Sequence, residues 1–331
     1  MAYSGTVAQT TFNTARVIDT AVRRCRLMPQ QITAETLETA KDALYLLLSD
    51  QANLKLPLWC VEQTLYPFYE GDPKVTLTPG TVDILNCNVR QLQRVTGTET
   101  VETLPPRITT EFTSATQVTT VGILWSAASA TGIALERSND GVTWKTIQTE
   151  APSAGVEEWS WFDVDVAVAA LYFRVRAVTG ALDVTEVYLG NTPSEIPCSR
   201  MSRDIYTSFP NKSSPGLKPL QYWLDRKASS PVMRLWPVPE AGTTYMQMVV
   251  WAHRQIMDVG SFTDDLEVPQ RWLEAIVSML AAKLAASLPD VDPALVPALE
   301  TKAQQALYNA QAEERDNSPM TIAPDISMYT R

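Results

Sequence analysis

The stretch IALERSNDGVTWKTIQ, residues 133–148, reads as two short strands joined by a tight turn. Asn139, Asp140 and Gly141 tolerate the positive φ of a hairpin loop, and Ile133, Leu135, Val142, Trp144 and Ile147 supply half-buried apolar faces on either side. The same alternation of apolar and polar residues continues around it in TTVGILWS (119–126), EWSWFDVDV (158–166), YFRVRAV (172–178) and DVTEVYLG (183–190). Strands at regular spacing with no helical period predict an antiparallel β-sandwich, jelly-roll or immunoglobulin-like, over residues 107–190. Pro105, Pro106 and Pro193 flank it and mark it as an insertion whose two ends lie close together, so that its deletion should leave the rest of the chain soluble.

Outward from this module the chain turns helical at both ends. In TTFNTARVIDTAVRRCRL (10–27), Ala15, Ile18, Val22 and Cys25 share a stripe and Pro29 stops the run, which predicts a helix over 11–28. In TAETLETAKDALYLLLSD (33–50), Thr33 caps, Glu35 suits the first turn, and Leu37, Ala40, Leu44, Leu47 and Leu48 form a buried face. VPQRWLEAIVSMLAAKLAASL (268–288) is apolar on much of its circumference, with Pro269 placed as its first residue. A last helix over 293–315 carries Leu299, Ala303, Leu307 and Ala310 at helical spacing. Residues 58–106 and 191–267 have the short apolar runs and Gly/Pro punctuation of strands, with a helical or extended piece at Val82 to Leu85. The final segment, 316–331, has two prolines and no period, which predicts an extended tail. The fold class is therefore α+β: a helical bundle from 1–57 and 268–315, a β portion in two segments, and the inserted antiparallel sandwich.

Composition narrows the function. A chain of 331 residues, 45% hydrophobic and 19% charged, is ordered and large enough for two or three cores. No run approaches the roughly 20 apolar residues of a membrane span, and the first 20 residues lack a secretory leader pattern. The net charge of −10 opposes a protein that grips nucleic acid by its phosphates, though not one that nucleic acid passes. Within 107–190, five Lys or Arg face ten Asp or Glu, so the module is an acidic appendage. Cys25, Cys60, Cys87 and Cys198 stand far apart and read as buried free thiols.

Catalytic chemistry finds little material. His253 is the only histidine, and the alternation of VVWAHRQIMD (249–258) makes it a structural residue at a strand end. There is no G-x-S-x-G, no phosphate-cradling G-x-x-x-x-G-K-[ST] and no G-x-G-x-x-G among only 13 glycines. Asp264 and Asp265 read as a turn before a helix rather than a carboxylate pair, and Asp163 and Asp165 as solvent-facing strand carboxylates rather than a Ca²⁺ site. A glycoside hydrolase needs two placed carboxylates in a cleft, and nothing singles such a pair out. No enzyme, cofactor or metal is expected. Trp125, Trp144, Trp159 and Trp161 concentrate four of the nine tryptophans in the module, as a glycan or partner contact or as its aromatic core.

The order of the pieces resembles a known family. VIDTAVRRCRLMP (17–29), ITAETLETAKDALYLLLSD (32–50), LPLWCVEQ (56–63), MRLWPVPE (233–240), DDLEVPQRWLEAIVSMLAAKLAASLPDV (264–291) and NSPMTIAPDISMYTR (317–331) resemble the head-to-tail adaptor, or connector, proteins of short-tailed bacteriophages. RSNDGVTW (137–144) with YFRVRAV and DVTEVYLG resembles the discoidin or galactose-binding-like sandwiches. The first resemblance implies a helical-bundle adaptor core and a dodecameric homo-oligomeric ring in the virion neck, assembled in the host cytoplasm. Such a ring docks on the portal protein, passes double-stranded DNA without sequence-specific binding, helps retain the packaged genome, and seats tail nozzle or tube and fibre proteins. It has no membrane partner. It also implies that the C-terminal tail engages the portal, through Ile322, Pro324, Ile326, Tyr329 and Arg331 here. The alternative is a carbohydrate- or receptor-binding virion tail protein acting through the sandwich.

Overall fold

The computed structural model describes residues 12–27, 32–53, 58–103, 106–127, 132–152, 154–227, 230–240, 242 and 245–313. They form two compact units, one drawn from the two ends of the chain, up to Val61 and from Arg254 onward, the other comprising Glu62–His253.

The first unit is helical. Helix α1 (Thr14–Arg24) starts where the Asn13 side-chain oxygen accepts the Arg16 N–H at 3.0 Å, satisfying one of the free donors of the first turn. It buries Val17, Ile18, Ala21 and Val22, with Cys25 following at the cap; Ala15, expected on the stripe, is exposed. In α2 (Ala34–Asn53) the Thr33 hydroxyl accepts the Thr36 N–H at 3.2 Å, and Ala40, Leu44, Leu47 and Leu48 turn inward with Leu37 partly buried beside them. The long C-terminal helix α4 (Gln270–Ser287) packs against α1, α2 and the last helix, α5 (Val296–Glu313). That three-sided contact is why its sequence is apolar on so much of its circumference. Pro269 caps α4 with extended ψ instead of filling its first turn. In α5, Ala303 and Ala310 are buried, while Leu299 and Leu307 pack partly exposed. Burying side chains such as Leu44, Leu280 and Leu284, all fully inside, is worth about 1.5–3 kcal/mol each.

The second unit is built from sheets. A six-stranded sheet runs in the order β1 (Val61–Pro67), β17 (Met246–Arg254), β3 (Thr81–Arg94), β11 (Val184–Pro197), β6 (Thr120–Trp125) and β9 (Trp159–Asp163). A five-stranded antiparallel sheet runs β4 (Thr98–Thr103), β5 (Pro106–Thr116), β10 (Ala170–Ala177), β7 (Ile133–Ser138) and β8 (Lys145–Glu150). Val121, Ile123, Val187 and Leu189 of the first sheet meet Ile108, Phe112, Leu135, Phe173 and Val175 of the second, forming a sandwich core. A four-stranded sheet of β12 (Ser199–Arg200), β14 (Gln221–Asp225), β15 (Val232–Trp236) and β2 (Lys74–Thr76) packs Tyr222, Leu224, Met233 and Leu235 against Ile84, Cys87 and Val89 of β3 and Met248 and Val250 of β17. The short helix α3 (Arg203–Ser208), capped by Ser202, follows β12, and β13 (Pro215–Gly216) pairs in parallel with β16 (Val238–Pro239).

The start of the sandwich and the Pro193 boundary are corrected here, and the open choice at Val82 to Leu85 is settled. The sandwich sheet begins before 107, since β4 pairs with β5, and β11 runs on through 190, pairing with β6 over Val184–Gly190 and with β3 over Gly190–Pro197. Pro193, read as a boundary, sits inside β11 where the register against β3 shifts between Asn191 and Ser194, a place where a missing N–H removes no ladder bond. Val82 to Leu85 are extended, part of the 14-residue β3.

Candidate functional site

The hairpin between β7 and β8 consumes its own polar groups. Ser138 Oγ accepts the N–H groups of Asp140 and Gly141 at 3.2 and 3.0 Å, and an Asp140 carboxylate oxygen accepts those of Val142 and Thr143 at 2.9 and 2.7 Å. Those backbone N–H bonds, with the Ser138 hydroxyl, hold the Asp140 carboxyl well below the usual carboxylate range. Gly141, at φ +70°, closes the turn, and its carbonyl accepts Trp144 Nε1–H at 3.1 Å. The Ser-Asn-Asp-Gly-Val-Thr-Trp run is thus a self-satisfied platform that sets one indole on the outer face of the five-stranded sheet. Val142, expected half-buried, is 82% exposed at its tip.

That outer face carries a groove of about 560 Å³ along β4, β5 and β10, lined by Glu102, Arg107, Glu111, Trp144, Tyr172 and Arg174 among others. The Arg174 guanidinium lies 3.9 Å from the Trp144 ring centroid, and Tyr172 meets the indole edge-on while its hydroxyl donates to Glu111 at 2.9 Å. That bond to a carboxylate pushes the Tyr172 phenol up. Behind them Glu136, its side chain 5% exposed, pairs with both Arg174 and Arg176. The site offers aromatic surface and alternating charge, with no open carboxylate pair in line. Its β10 members were legible in YFRVRAV, where alternation sets Tyr172, Arg174 and Arg176 opposite the core residues Phe173 and Val175.

The four tryptophans do not form one platform. Trp125 is buried in the sandwich core, with Nε1–H donating to Ser160 Oγ at 2.9 Å. Trp159 and Trp161 stack on each other, centroids 5.1 Å apart, on the far face of the six-stranded sheet, buried with Leu92 and Tyr188. Only Trp144 of the set lies at the groove, and Arg174 covers one of its ring faces.

The other sequence candidates resolve into structure. Asp163, a solvent-facing strand carboxylate as expected, also pairs with the buried Arg90 at 2.5 Å and accepts from Thr120 at 3.0 Å; Glu195 holds the other side of Arg90 at 2.8 Å. Asp165 follows the end of β9, and its N–H donates to Gln148 at 2.9 Å. Asp264 accepts the Ser261 N–H at 2.7 Å in a turn. His253 is buried in β17. All four cysteines are buried and outside any disulfide, and the hydrogen bond to the Cys198 thiol, with burial, pushes the Cys87 thiol up. Among the described residues no group of three His, Cys, Asp or Glu is placed to hold a metal, and no helix is long and apolar enough to cross a membrane. Ile322, Pro324, Ile326, Tyr329 and Arg331 lie outside the described residues.

Residues 134–324, more than half of the chain, match the family model of the SU10 adaptor protein. The chain belongs to the SU10 adaptor protein family. The span matched begins within β7 and runs through both C-terminal helices, so the chain, a phage structural adaptor, carries the family pattern in both of its units. A comparison with curated proteins returned no match. Among solved structures the chain is similar to the C-terminal domain of a chitobiase from Bacteroides fragilis (15% identity, 27% of this chain and 64% of that one, TM-score 0.23). It is similar also to CBM32 of AlyQ in complex with 4,5-unsaturated mannuronic acid (15% identity, 34% and 98%, TM-score 0.23). A third is CpGH89CBM32-5 from Clostridium perfringens in complex with GalNAc-β-1,3-galactose (16% identity, 41% and 99%, TM-score 0.24). The chain spans less than two thirds of the chitobiase domain.

Proposed function

We propose that this protein is the head-to-tail adaptor of a short-tailed phage. It forms a homo-oligomeric, dodecameric ring that docks on the portal protein, extends the DNA channel, helps retain the packaged genome and seats the tail nozzle or tube and its fibres. It acts in the virion neck after assembly in the host cytoplasm, and it is not an enzyme. The observation that carries the reading is the family match over 134–324. Ile322, Pro324, Ile326, Tyr329 and Arg331 are proposed as the portal contacts. A ring of this kind joins copies head to tail through unlike surfaces. The packing of the N- and C-terminal helices on one another supports a rigid body able to present such surfaces. Sedimentation of the full chain with purified portal rings tests the proposal: co-sedimentation in a fixed stoichiometry is expected, and a chain that stays at the top of the gradient would refute it.

A second reading, a carbohydrate- or receptor-binding tail protein, is favoured by the Trp144 groove alone. Glycan-array binding abolished by Trp144→Ala would support it over the first.

A further inference from the structure

The net charge of −10 is unevenly spread: residues 198–240 hold seven Lys or Arg against three Asp or Glu. Two of these cations meet on one carboxylate. Asp83, on β3, takes Arg200 on one oxygen at 2.9 Å and Arg226 on the other at 3.0 Å, and its first oxygen also accepts the Ile84 N–H at 3.1 Å. The Asp83 side chain is 8% exposed, whereas the two arginine side chains are 45% and 54% exposed. One buried negative charge therefore faces two arginine side chains about half exposed to solvent, leaving a net positive charge at the surface. Lys227, next to Arg226, is exposed and adds a third cation.

Geometry gives this pair more than its charge. Each planar guanidinium has five N–H donors, and those not turned toward Asp83 can fork onto a pair of phosphate oxygens. Anchoring both arginines to a buried group removes much of the rotamer freedom that a lone surface arginine loses on binding. Asp83 in β3, Arg200 in β12 and Arg226 just past β14 are brought together by the packing of the four-stranded sheet on the six-stranded one.

We propose that Arg200 and Arg226, with Lys227 beside them, contact the phosphate backbone of double-stranded DNA. The proposal rests on the adaptor reading for the presence of DNA and on this patch for the contact. Phosphate contacts carry no sequence information, and two or three per copy hold a duplex weakly enough to let it slide.

The test is fluorescence anisotropy of a short labelled duplex with the full-length chain across a salt series. Wild-type protein is expected to bind at low salt with an affinity that falls as salt rises. R200Q/R226Q should weaken binding about tenfold and flatten the log–log salt slope by about 2, and K227Q should flatten it by about 1. K227Q leaves Asp83 and its partners untouched, so it decides the matter even where the double variant folds poorly. R23Q, on α1, is expected to match wild type. No binding by wild-type protein at low salt, or an unchanged slope in K227Q, would overturn the proposal. So would displacement of the duplex by polyglutamate more readily than by unlabelled duplex, which would mark the patch as a seat for an acidic protein. Portal sedimentation of the same variants separates the two readings: a wild-type chain that binds portal but not the duplex sinks only the DNA contact.

Discussion

The indole of Trp161 lies over Gly122, its cross-strand partner between β9 and β6, so closely that any Cβ at Gly122 would collide with the ring. Trp159 stacks on Trp161 at 5.1 Å and blocks its retreat. Gly122→Ala should therefore destabilise the protein by about 2 kcal/mol and Gly122→Val by more, through overpacking. Urea denaturation followed by tryptophan fluorescence measures it; an unchanged midpoint would show that the stack can shift.

Glu136 is the buried hub of the groove. Burial opposes its ionisation, but hydrogen bonds from Arg174 and Arg176 outweigh that and hold its carboxyl below the usual range. The stability it supplies is fully present above the unfolded-state pKa of about 4.3 and is lost as pH falls through the lower folded value. Glu136→Gln should cost about 3 kcal/mol at neutral pH, because two partly buried cations lose their partner. The difference from wild type should shrink on acidification below that range, as thermal melts at several pH values would reveal.

Deleting 107–190 should yield insoluble protein, contrary to the expectation from the sequence. The cut removes β5 to β10 and the half of β11 that pairs with β6, leaving β4 without its β5 partner and Leu92 without Tyr188 and Trp161. Soluble expression of the deletion with a native-like melt would contradict the shared sheet.

Truncation after Arg315 should leave the thermal midpoint nearly unchanged and weaken portal binding at least tenfold, with Tyr329→Ala doing part of the same. Apolar residues in an extended segment need a partner's groove to bury them. Equal portal affinity of truncated and full chains, read by sedimentation, would remove the tail from the interface.

Asp140→Ala should lower the melting temperature, since two backbone N–H groups and the Ser138 hydroxyl lose their acceptor. Asp140→Asn, which keeps an oxygen in place, should recover most of the loss. The carboxylate's share is present above about pH 3.9 and declines as pH drops through its depressed folded value.

What the sequence determined by itself is local. The turn at Asn139 to Gly141, the Thr33 cap, the helical faces of α2 and α5 and the two-residue period of the strands all depend on neighbours within a few positions, and each was readable in order. Alternation could say that a strand residue lies on one of two faces, but not what covers that face. So Trp125, Trp144, Trp159 and Trp161 looked equivalent, and the tertiary structure sent them to the sandwich core, the outer groove and a separate stack. The same limit hid β11, whose two edges pair with strands on both sides of the supposed boundary. Strand pairing is satisfied by backbone hydrogen bonds common to every residue, so partner choice is decided by how whole sheets bury their faces. Only that long-range packing could bring Arg200 and Arg226 onto Asp83 and concentrate positive charge on an acidic chain.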